Sequence, residues 1–301
     1  MIKISFLVIW FLVRKAEGFF HVTPSRSITR LFSQSEENPA LYIQVISDVD
    51  DTLKSSGGVN VAGVALGGID VQYERGDFYP GVAEFMLELS CHRSDGSVTN
   101  TPPKIAILTA RAEEFKVALE LKETSKLAVA FRSAGERLGI KEWGLGPVLY
   151  GSVAEWIVQD KKGLRKFNNF ERLIQQDATG SIFQYIYVGD TGELDQEAGE
   201  TMLREYPEVV RAVFLHVVSD EPNPSVPPPK LINGRPIIFF RTYVGAAARA
   251  TQLQLMNKSS LKRVITAAKQ KLDDVPKSSD KWLDLDHDLQ EAYRTLQVNS
   301  K

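Results

Sequence analysis

The sequence has one cysteine, Cys91, in 301 residues, and it has little surplus of charge of either sign. A single cysteine cannot form an intrachain disulfide, and no zinc-knuckle spacing exists. The 36 basic and 38 acidic residues leave a formal net charge of -2, whereas nucleic-acid binders usually carry a strong basic excess. No apolar run reaches the roughly 18 residues that a membrane span needs. We therefore expect no nucleic-acid partner and no transmembrane helix in the mature chain.

The composition that is present is ordinary for a folded protein. Hydrophobic residues make up 43% and charged residues 25%, which excludes the disordered and fibrous classes. The length fits one large domain or two small ones. Composition says nothing about chemistry, so the motifs have to carry any prediction of function.

Residues 1–40 have the composition of a targeting sequence. A basic start precedes the apolar residues 4–13 and a small-residue exit at 16–18, which is typical of a secretory signal. Residues 19–34 are rich in serine and arginine and lack acids, which is typical of a transit peptide. This combination resembles the bipartite presequences of algae with secondary plastids. We expect entry into the secretory pathway and delivery to a plastid, with secretion or an endomembrane lumen as the alternative.

Apolar, β-rich segments alternate with helical patterns along the body of the chain. Most of these segments lack polar alternation, as expected of strands covered on both faces. Helical patterns lie at about 82–89, 113–122 and 162–175. The alternation predicts an α/β fold with a doubly wound, mainly parallel sheet. The predicted strands are 41–47, 104–108, 147–150, 182–188 and 209–218.

Some segments depart from this alternation. Residues 53–79 are glycine-rich with β-prone pieces and predict a hairpin-like flap, and residues 112–146 predict a small, partly helical cap insert. The proline-rich segment 221–230 predicts a loop. Residues 251–301 form a predicted C-terminal helical extension to a main domain of residues 41–250.

The C-terminal extension contains two amphipathic patterns. Ser259 or Ser260 can cap the first helix. We expect both apolar faces to pack against the main domain rather than a membrane, because acids on the outer face of the last helix disfavour anionic lipid. The predicted packing faces are Leu261, Val264, Ile265, Ala268 and Leu272 in the first helix, and Trp282, Leu285, Leu289, Tyr293 and Leu296 in the second.

Polar residues follow three of the predicted strands. Asp48, Asp50 and Asp51 follow residues 41–47, Thr109 follows 104–108, and Asp190 follows 182–188 with a glycine between. Ligands of doubly wound sheets bind outside the carboxyl ends of the strands, so we expect these residues at one rim. The sequence Asp-Asp-Thr is also common in turns and at helix N-caps. Taken alone, the acids after residues 41–47 could therefore have a purely structural role.

Lys166 lies on the predicted helix between these groups. Apolar residues follow it at helical spacing, at Phe170, Leu173 and Ile174, so it lies on the core side. Such a lysine usually extends its amine to water, but here it can supply the cation that an acidic rim requires. Lys161 and Lys162 are alternatives that lack the same apolar spacing.

Together these motifs resemble the four motifs of the haloacid-dehalogenase-like phosphatase superfamily, whose core is Rossmann-like. More narrowly, the chain resembles the catalytic domain of the actin-patch phosphatidate phosphatases over about residues 41–250. The resemblance implies hydrolysis of phosphatidate to diacylglycerol and phosphate at a membrane surface. The matching segments are DVDDTLKSSG at 48–57, PGV at 80–82, LTAR at 108–111, LYGS at 149–152, K-x-x-N-F at 166–170 and GDTGELD at 189–195.

The resemblance also implies a role for each matching residue. Asp48 is the nucleophile that forms an aspartyl phosphate, and Asp50 is the general acid and base. Thr109 binds a phosphoryl oxygen, and Lys166 neutralises charge on Asp48 and on the transferred group. The implied cofactor is Mg²⁺, held by the Asp48 carboxylate, the Asp50 carbonyl and Asp190.

The sequence leaves the roles of several neighbouring residues undecided. Asp195 and Glu193 are expected to support the metal site, with the family pattern favouring Asp195. Arg111 binds substrate phosphate or pairs with a neighbouring carboxylate. Asp51 is expected to make local hydrogen bonds rather than to bind metal.

The substrate is the least determined part of the prediction. The four motifs specify phosphoryl transfer, whereas specificity lies in the flap and the insert. A phosphatase of a small soluble phosphomonoester is the alternative function. A catalytically silent lipid- or protein-binding module is disfavoured by the complete set of motif residues.

Overall fold

The computed structural model describes residues 42–58, 60–61, 64–65, 69–112, 124–151, 162–177, 180–192, 194–221 and 224–298. The predicted presequence, the predicted helix over 113–122 and Glu193 lie outside these residues. The backbone of Arg111 is described and its side chain is not.

A seven-stranded sheet forms the centre of the described part of the chain, in the order β5-β4-β1-β6-β7-β9-β8. Neighbouring strands pair in parallel, except β8 and β9, which pair antiparallel at one edge. The prediction of an α/β fold with a mainly parallel sheet is thereby confirmed. The strands of this sheet are β1 (Tyr42–Ser47), β4 (Ile105–Ala112), β5 (Leu145–Gly151), β6 (Ile182–Asp190), β7 (Val210–His216), β8 (Lys230–Ile232) and β9 (Arg235–Phe240).

Helices pack on both faces of the sheet, which explains why its strands are apolar on both sides. One face carries α3 and α4, whose apolar side chains pack around Leu108 and Tyr187. The other face carries α1, α2, α5, α6 and α7, which pack around Ile107 and Val188. The helices are α1 (Val82–Cys91), α2 (Lys126–Arg137), α3 (Lys162–Gln176), α4 (Asp195–Glu205), α5 (Tyr243–Gln252), α6 (Lys258–Lys271) and α7 (Asp280–Gln297).

The second strand of the predicted set is longer than expected. β4 continues to Ala112, so Thr109 lies inside the strand rather than after it. The pairing with β5 shifts its register between Leu108 and Ala112. Such an irregularity redirects side chains at the end of a strand, and it occurs where the sequence predicts the site.

The C-terminal helices share the core of the main sheet. α5 spans residue 250, and the buried faces of α6 and α7 belong to the same cluster as Phe85 of α1. Two details of the prediction are wrong. The N-cap of α6 is Asn257, which accepts the Ser260 N–H, rather than Ser259 or Ser260. Tyr293 is 42% exposed, because its neighbour Ala292 occupies the core-facing position.

The predicted flap and insert each contain regular structure. Within residues 53–79, β2 (Asn60–Val61) and β3 (Val64–Ala65) form an antiparallel pair. Helix α2 lies within the predicted insert. No helix of the described residues is long and apolar enough to cross a membrane.

Candidate active site

Three carboxylates and one ammonium group meet at the carboxyl end of the sheet. Asp48 follows β1, Asp190 ends β6, and Asp195 begins α4. Each contributes a carboxylate oxygen to a group whose members all lie within 4.8 Å of one another. Parallel strands end at one edge, and the register of β1 with β6 brings the first two together. Because the sequence predicts catalytic roles for Asp48 and Lys166, these three acids and Lys166 are called the catalytic cluster below.

Lys166 is the buried cation of this cluster. Its side chain is fully buried on α3, and its Nζ lies 3.3 Å from Asp48 Oδ1 and in direct contact with the Asp195 carboxylate. Burial opposes the charged form, but the carboxylates of Asp195 and Asp48 raise the pKa of Lys166 above its ordinary value. Lys166 is therefore an ammonium ion at neutral pH. Because it lies on the apolar face of α3, its side chain stays in the core and does not reach water.

Asp195 connects the lysine to the backbone of β6. Its Oδ2 accepts the N–H of Asp190 at 3.2 Å. A Cβ at Gly189 would lie 2.5 Å from that same oxygen, so only glycine leaves room for this approach. The first turn of a helix also favours a carboxylate electrostatically. The sequence predicted a supporting role for Asp195, and the structure makes it the direct partner of Lys166.

The turn between β6 and α4 fixes the orientation of Asp190. Oδ1 of Asp190 accepts the Gly192 N–H at 2.6 Å, and Oδ2 accepts the Thr52 hydroxyl at 3.4 Å. Leu194, which precedes Asp195, has a left-handed φ of 53° and an exposed side chain. A left-handed leucine is costly, and here it ends a tight turn that joins two members of the catalytic cluster.

The other predicted catalytic residues lie around the catalytic cluster. Thr109 is buried in β4, the strand next to β1. Asp50 is half-buried in the turn after β1, and it is not one of the three grouped carboxylates. The proposed roles of Thr109, Asp50 and Arg111 stay predictions.

A second buried carboxylate group lies beside the catalytic cluster. Asp51 is fully buried with a left-handed φ of 54°. Its carboxylate accepts the Ser56 N–H at 2.7 Å, the Ser56 hydroxyl at 3.0 Å, and the N–H groups of Ile69 at 2.6 Å and Asp70 at 3.1 Å. It therefore joins the two ends of the flap. Its local hydrogen bonding agrees with the sequence prediction, but its role in holding the flap was not foreseen.

Aromatic residues that sequence reasoning did not select support this second group. Tyr79 donates to Asp70 Oδ2 at 3.0 Å and stacks edge-on against His216, with 4.4 Å between the ring centroids. His216 Nδ1 lies 2.7 Å from the carbonyl oxygen of Asp51, and the Tyr243 hydroxyl donates to that of Thr52 at 2.5 Å. These contacts join residues up to 191 positions apart, so local sequence patterns carry no signal for them.

The donor set of the catalytic cluster fits a hard divalent cation. Carboxylate oxygens are the ligands that Mg²⁺ prefers, and Asp48, Asp190 and Asp195 are all buried residues. A cation would reduce repulsion among the three acids.

The arrangement can hold a carboxylate nucleophile next to a cation. It presents a buried carboxylate beside an ammonium ion, at a sheet edge where ligands bind in this fold class. Comparisons with models of protein families, with curated proteins and with solved structures found no match to this chain.

Proposed function

We propose that the protein is a Mg²⁺-dependent phosphatidate phosphatase of the haloacid-dehalogenase-like type, with Asp48 as its nucleophile. The proposal rests on the residue types at the carboxyl end of the sheet and on the family resemblance of their motifs. It names phosphatidate as the substrate and diacylglycerol and phosphate as the products.

The position of Lys166 carries the proposal. A phosphoryl group is negative, so a carboxylate can approach it only where cations screen the repulsion. Lys166 Nζ lies 3.3 Å from the proposed nucleophile and is fully buried, where charge interactions are strong. An ion pair needed only for stability does not have to lie at the ligand-binding edge, and buried pairs are weak sources of stability.

In the first step, an oxygen of Asp48 forms a bond to phosphorus as the bond from phosphorus to the glycerol oxygen breaks. Asp50 gives its proton to that leaving oxygen, so diacylglycerol departs as a neutral alcohol. Thr109 donates a hydrogen bond to a phosphoryl oxygen. Lys166 stabilises the negative charge that develops between the nucleophile and the phosphoryl group.

In the second step, water attacks phosphorus and the bond between phosphorus and Asp48 breaks. Asp50, deprotonated by the first step, takes the proton from the water. Asp195 keeps the Lys166 ammonium group beside Asp48 through both steps. Phosphate leaves, and the carboxylate of Asp48 is regenerated.

Asp48 and Asp190, with the Asp50 carbonyl, are the residues that would hold Mg²⁺. When bound, the ion supplies positive charge that screens the nucleophile from the phosphoryl oxygens. The buried carboxylate oxygens support this assignment by their chemistry and spacing.

Chelation by excess EDTA is expected to abolish phosphate release, with recovery on adding Mg²⁺ but not Na⁺.

Phosphate release from two substrates tests the proposed function. The protein is incubated with phosphatidate in phosphatidylcholine vesicles and with a soluble aryl phosphate. We expect Mg²⁺-dependent release from phosphatidate, and loss of release in Asp48→Asn. Release from the aryl phosphate alone favours the phosphomonoester phosphatase, and activity that survives in Asp48→Asn contradicts the mechanism.

The proposed cellular route follows from residues 1–40 alone. We propose that they direct the protein into the secretory pathway and on to a plastid. A fluorescent protein fused after residue 40 should accumulate in the plastid of a secondary-plastid alga. Accumulation in the medium or the endomembrane lumen instead would contradict the plastid assignment.

A further inference from the structure

The second leg of the flap, residues 69–73, lies between the active site and the last helix. On one side, the N–H groups of Ile69 and Asp70 donate to the Asp51 carboxylate at 2.6 and 3.1 Å. Ile69 also faces the turn between β6 and α4, since a Cβ at Gly192 would lie 3.1 Å from the Cγ1 atom of Ile69. Residues 69–73 therefore lie against the turn between β6 and α4 as well as against Asp51.

On its other side, the leg is fixed by a closed set of side-chain hydrogen bonds. Gln72 Nε2 donates to Asp284 Oδ2 at 2.8 Å, and Gln72 Oε1 accepts from Arg241 Nη2 at 2.6 Å. Arg241 Nε donates to the same Asp284 oxygen at 2.9 Å. These three residues, each bonded to the other two, are called the flap-anchoring triad.

The triad joins three distant parts of the chain. Gln72 belongs to the flap, Arg241 follows β9, and Asp284 lies in the second turn of α7, 212 positions from Gln72. Arg241 also donates to the Val217 carbonyl at 2.7 Å, which ties it to the end of β7. The guanidinium fork thus fixes the flap and the helix relative to the sheet.

A second contact connects α7 to the same leg. Lys281 Nζ lies 4.5 Å from the centroid of the Tyr73 ring, a favourable cation–π distance. The Tyr73 ring packs edge-on against Tyr79, with 5.2 Å between the centroids, and Tyr79 donates to Asp70. Two successive turns of α7 therefore touch the segment that Asp51 holds from the opposite side.

We propose that α7 holds residues 69–73 of the flap in place beside the catalytic cluster through Gln72, Arg241 and Asp284, which act as positioning residues for substrate binding. The triad is mostly buried, with side-chain exposures of 7% for Arg241 and 15% for Asp284. Hydrogen bonds to charged groups in such surroundings are strong. The catalytic consequence rests on the proposed phosphatase function, whereas the mechanical link between α7 and the flap does not.

The test compares Asp284→Asn and Gln72→Ala with matched controls. Asp286→Asn changes an exposed acid of the same helix, and Gln270→Ala removes an exposed glutamine of α6. Gln72→Ala leaves the Arg241–Asp284 pair intact, so it releases the flap without removing the bond between α7 and the sheet. It keeps the test decisive if Asp284→Asn fails to fold.

The first measurement is amide hydrogen exchange by mass spectrometry on the full chain. We expect the rate of exchange in residues 69–77 to rise about tenfold in both triad variants. A rise of this size is expected when one strong hydrogen bond is lost. Exchange in α1 should match the wild-type protein, and both controls should be unchanged. Exchange in 69–77 equal to that of the controls, or a uniform rise across the chain, overturns the proposal.

The second measurement separates positioning from a merely structural role. In the triad variants, the KM for vesicle phosphatidate should rise about tenfold, while kcat for the aryl phosphate stays within about twofold of the wild-type value. Equal losses of kcat on both substrates would overturn the positioning role. A wild-type protein that releases no phosphate contradicts the proposed function instead, and hydrogen exchange then decides the link alone.

Discussion

Two buried carboxylate groups lie side by side after β1, and they are stabilised by different means. The Asp48 carboxylate lies beside a buried ammonium ion, 3.3 Å from Lys166 Nζ. The Asp51 carboxylate, three residues along the chain, accepts N–H and hydroxyl groups from both ends of the flap. The first carboxylate is stabilised by the full charge of a neighbouring ammonium ion, whereas the second is stabilised by the dipoles of the N–H and hydroxyl groups that it accepts. Two buried aspartates only three residues apart in the chain are thus stabilised in different ways.

The largest expected effect comes from removing the cation of the catalytic cluster. Lys166→Met leaves buried acids without their ammonium partner, so we expect about 3–5 kcal/mol lower stability without added metal. We expect kcat to fall by about 10²- to 10³-fold, as for loss of a preorganised charge-stabilising group. Urea unfolding and phosphate release measure the two effects.

The matched control is Lys162→Met, at the first residue of the same helix. It should leave kcat within about twofold and the free energy of unfolding within about 0.5 kcal/mol of the wild-type values. A loss of kcat in Lys162→Met as large as in Lys166→Met would show that Lys166 has no special role as the cation of the site.

A smaller effect is expected at the second group. In Asp51→Asn, an NH₂ group replaces one of the two oxygens that accept hydrogen bonds from the flap, and we expect about 1–3 kcal/mol lower stability. Because Lys166 still contacts Asp48, kcat for an aryl phosphate should fall less than in Lys166→Met. Asp220→Asn, at an exposed loop position, is the control for urea unfolding. A kcat loss equal to that of Lys166→Met would remove the distinction between the groups.

Tyr79→Phe tests the outer part of the second group. It removes the hydroxyl that donates to Asp70 at 3.0 Å and keeps the ring that packs on His216. We expect about 0.5–1.5 kcal/mol lower stability, measured by urea unfolding, with kcat for the aryl phosphate unchanged. An increase in stability would mean that Asp70 gains nothing from this bond.

The smallest expected effect is an absence of titration at Lys166. Burial lowers the pKa of Lys166, but the carboxylates of Asp195 and Asp48 raise it above the ordinary value of about 10.4. Since the folded-state pKa exceeds the unfolded one, its stabilising contribution is complete below about pH 10 and is lost as pH rises through the folded-state pKa. The ¹³Cε resonance of Lys166, assigned with Lys166→Arg, should not move between about pH 7 and about pH 10. Titration within that range would contradict a buried ion pair.

The sequence predicts the parts of the fold that rest on local pattern. β1, β6 and β7 follow from apolar runs, because strands of a covered parallel sheet need apolar side chains on both faces. Helix α4 was not predicted: its buried positions are few, and it begins after the left-handed Leu194 without a side-chain cap. β9 was also missed, because its six residues begin with arginine and proline.

The same division applies to the candidate site. Asp48 and Asp190 could be predicted because they end strands that run side by side, and Lys166 because of the apolar positions after it. The contact of Asp195 with Lys166, and the hold of Asp51 on the flap, depend on how α3, α4 and the flap pack. Arg241 carries no motif, since its partners Gln72 and Asp284 are far away in the sequence.

Trapping the proposed aspartyl phosphate is the most direct test of the central claim. The protein is mixed with phosphatidate vesicles and Mg²⁺, quenched in acid during turnover and reduced with borohydride, which converts an acyl phosphate of aspartate to homoserine. Mass spectrometry of the peptide containing residues 48–52 should find homoserine at position 48 and unchanged Asp50 and Asp51. Phosphate release without any reduction at Asp48, or reduction at another aspartate, would contradict the account.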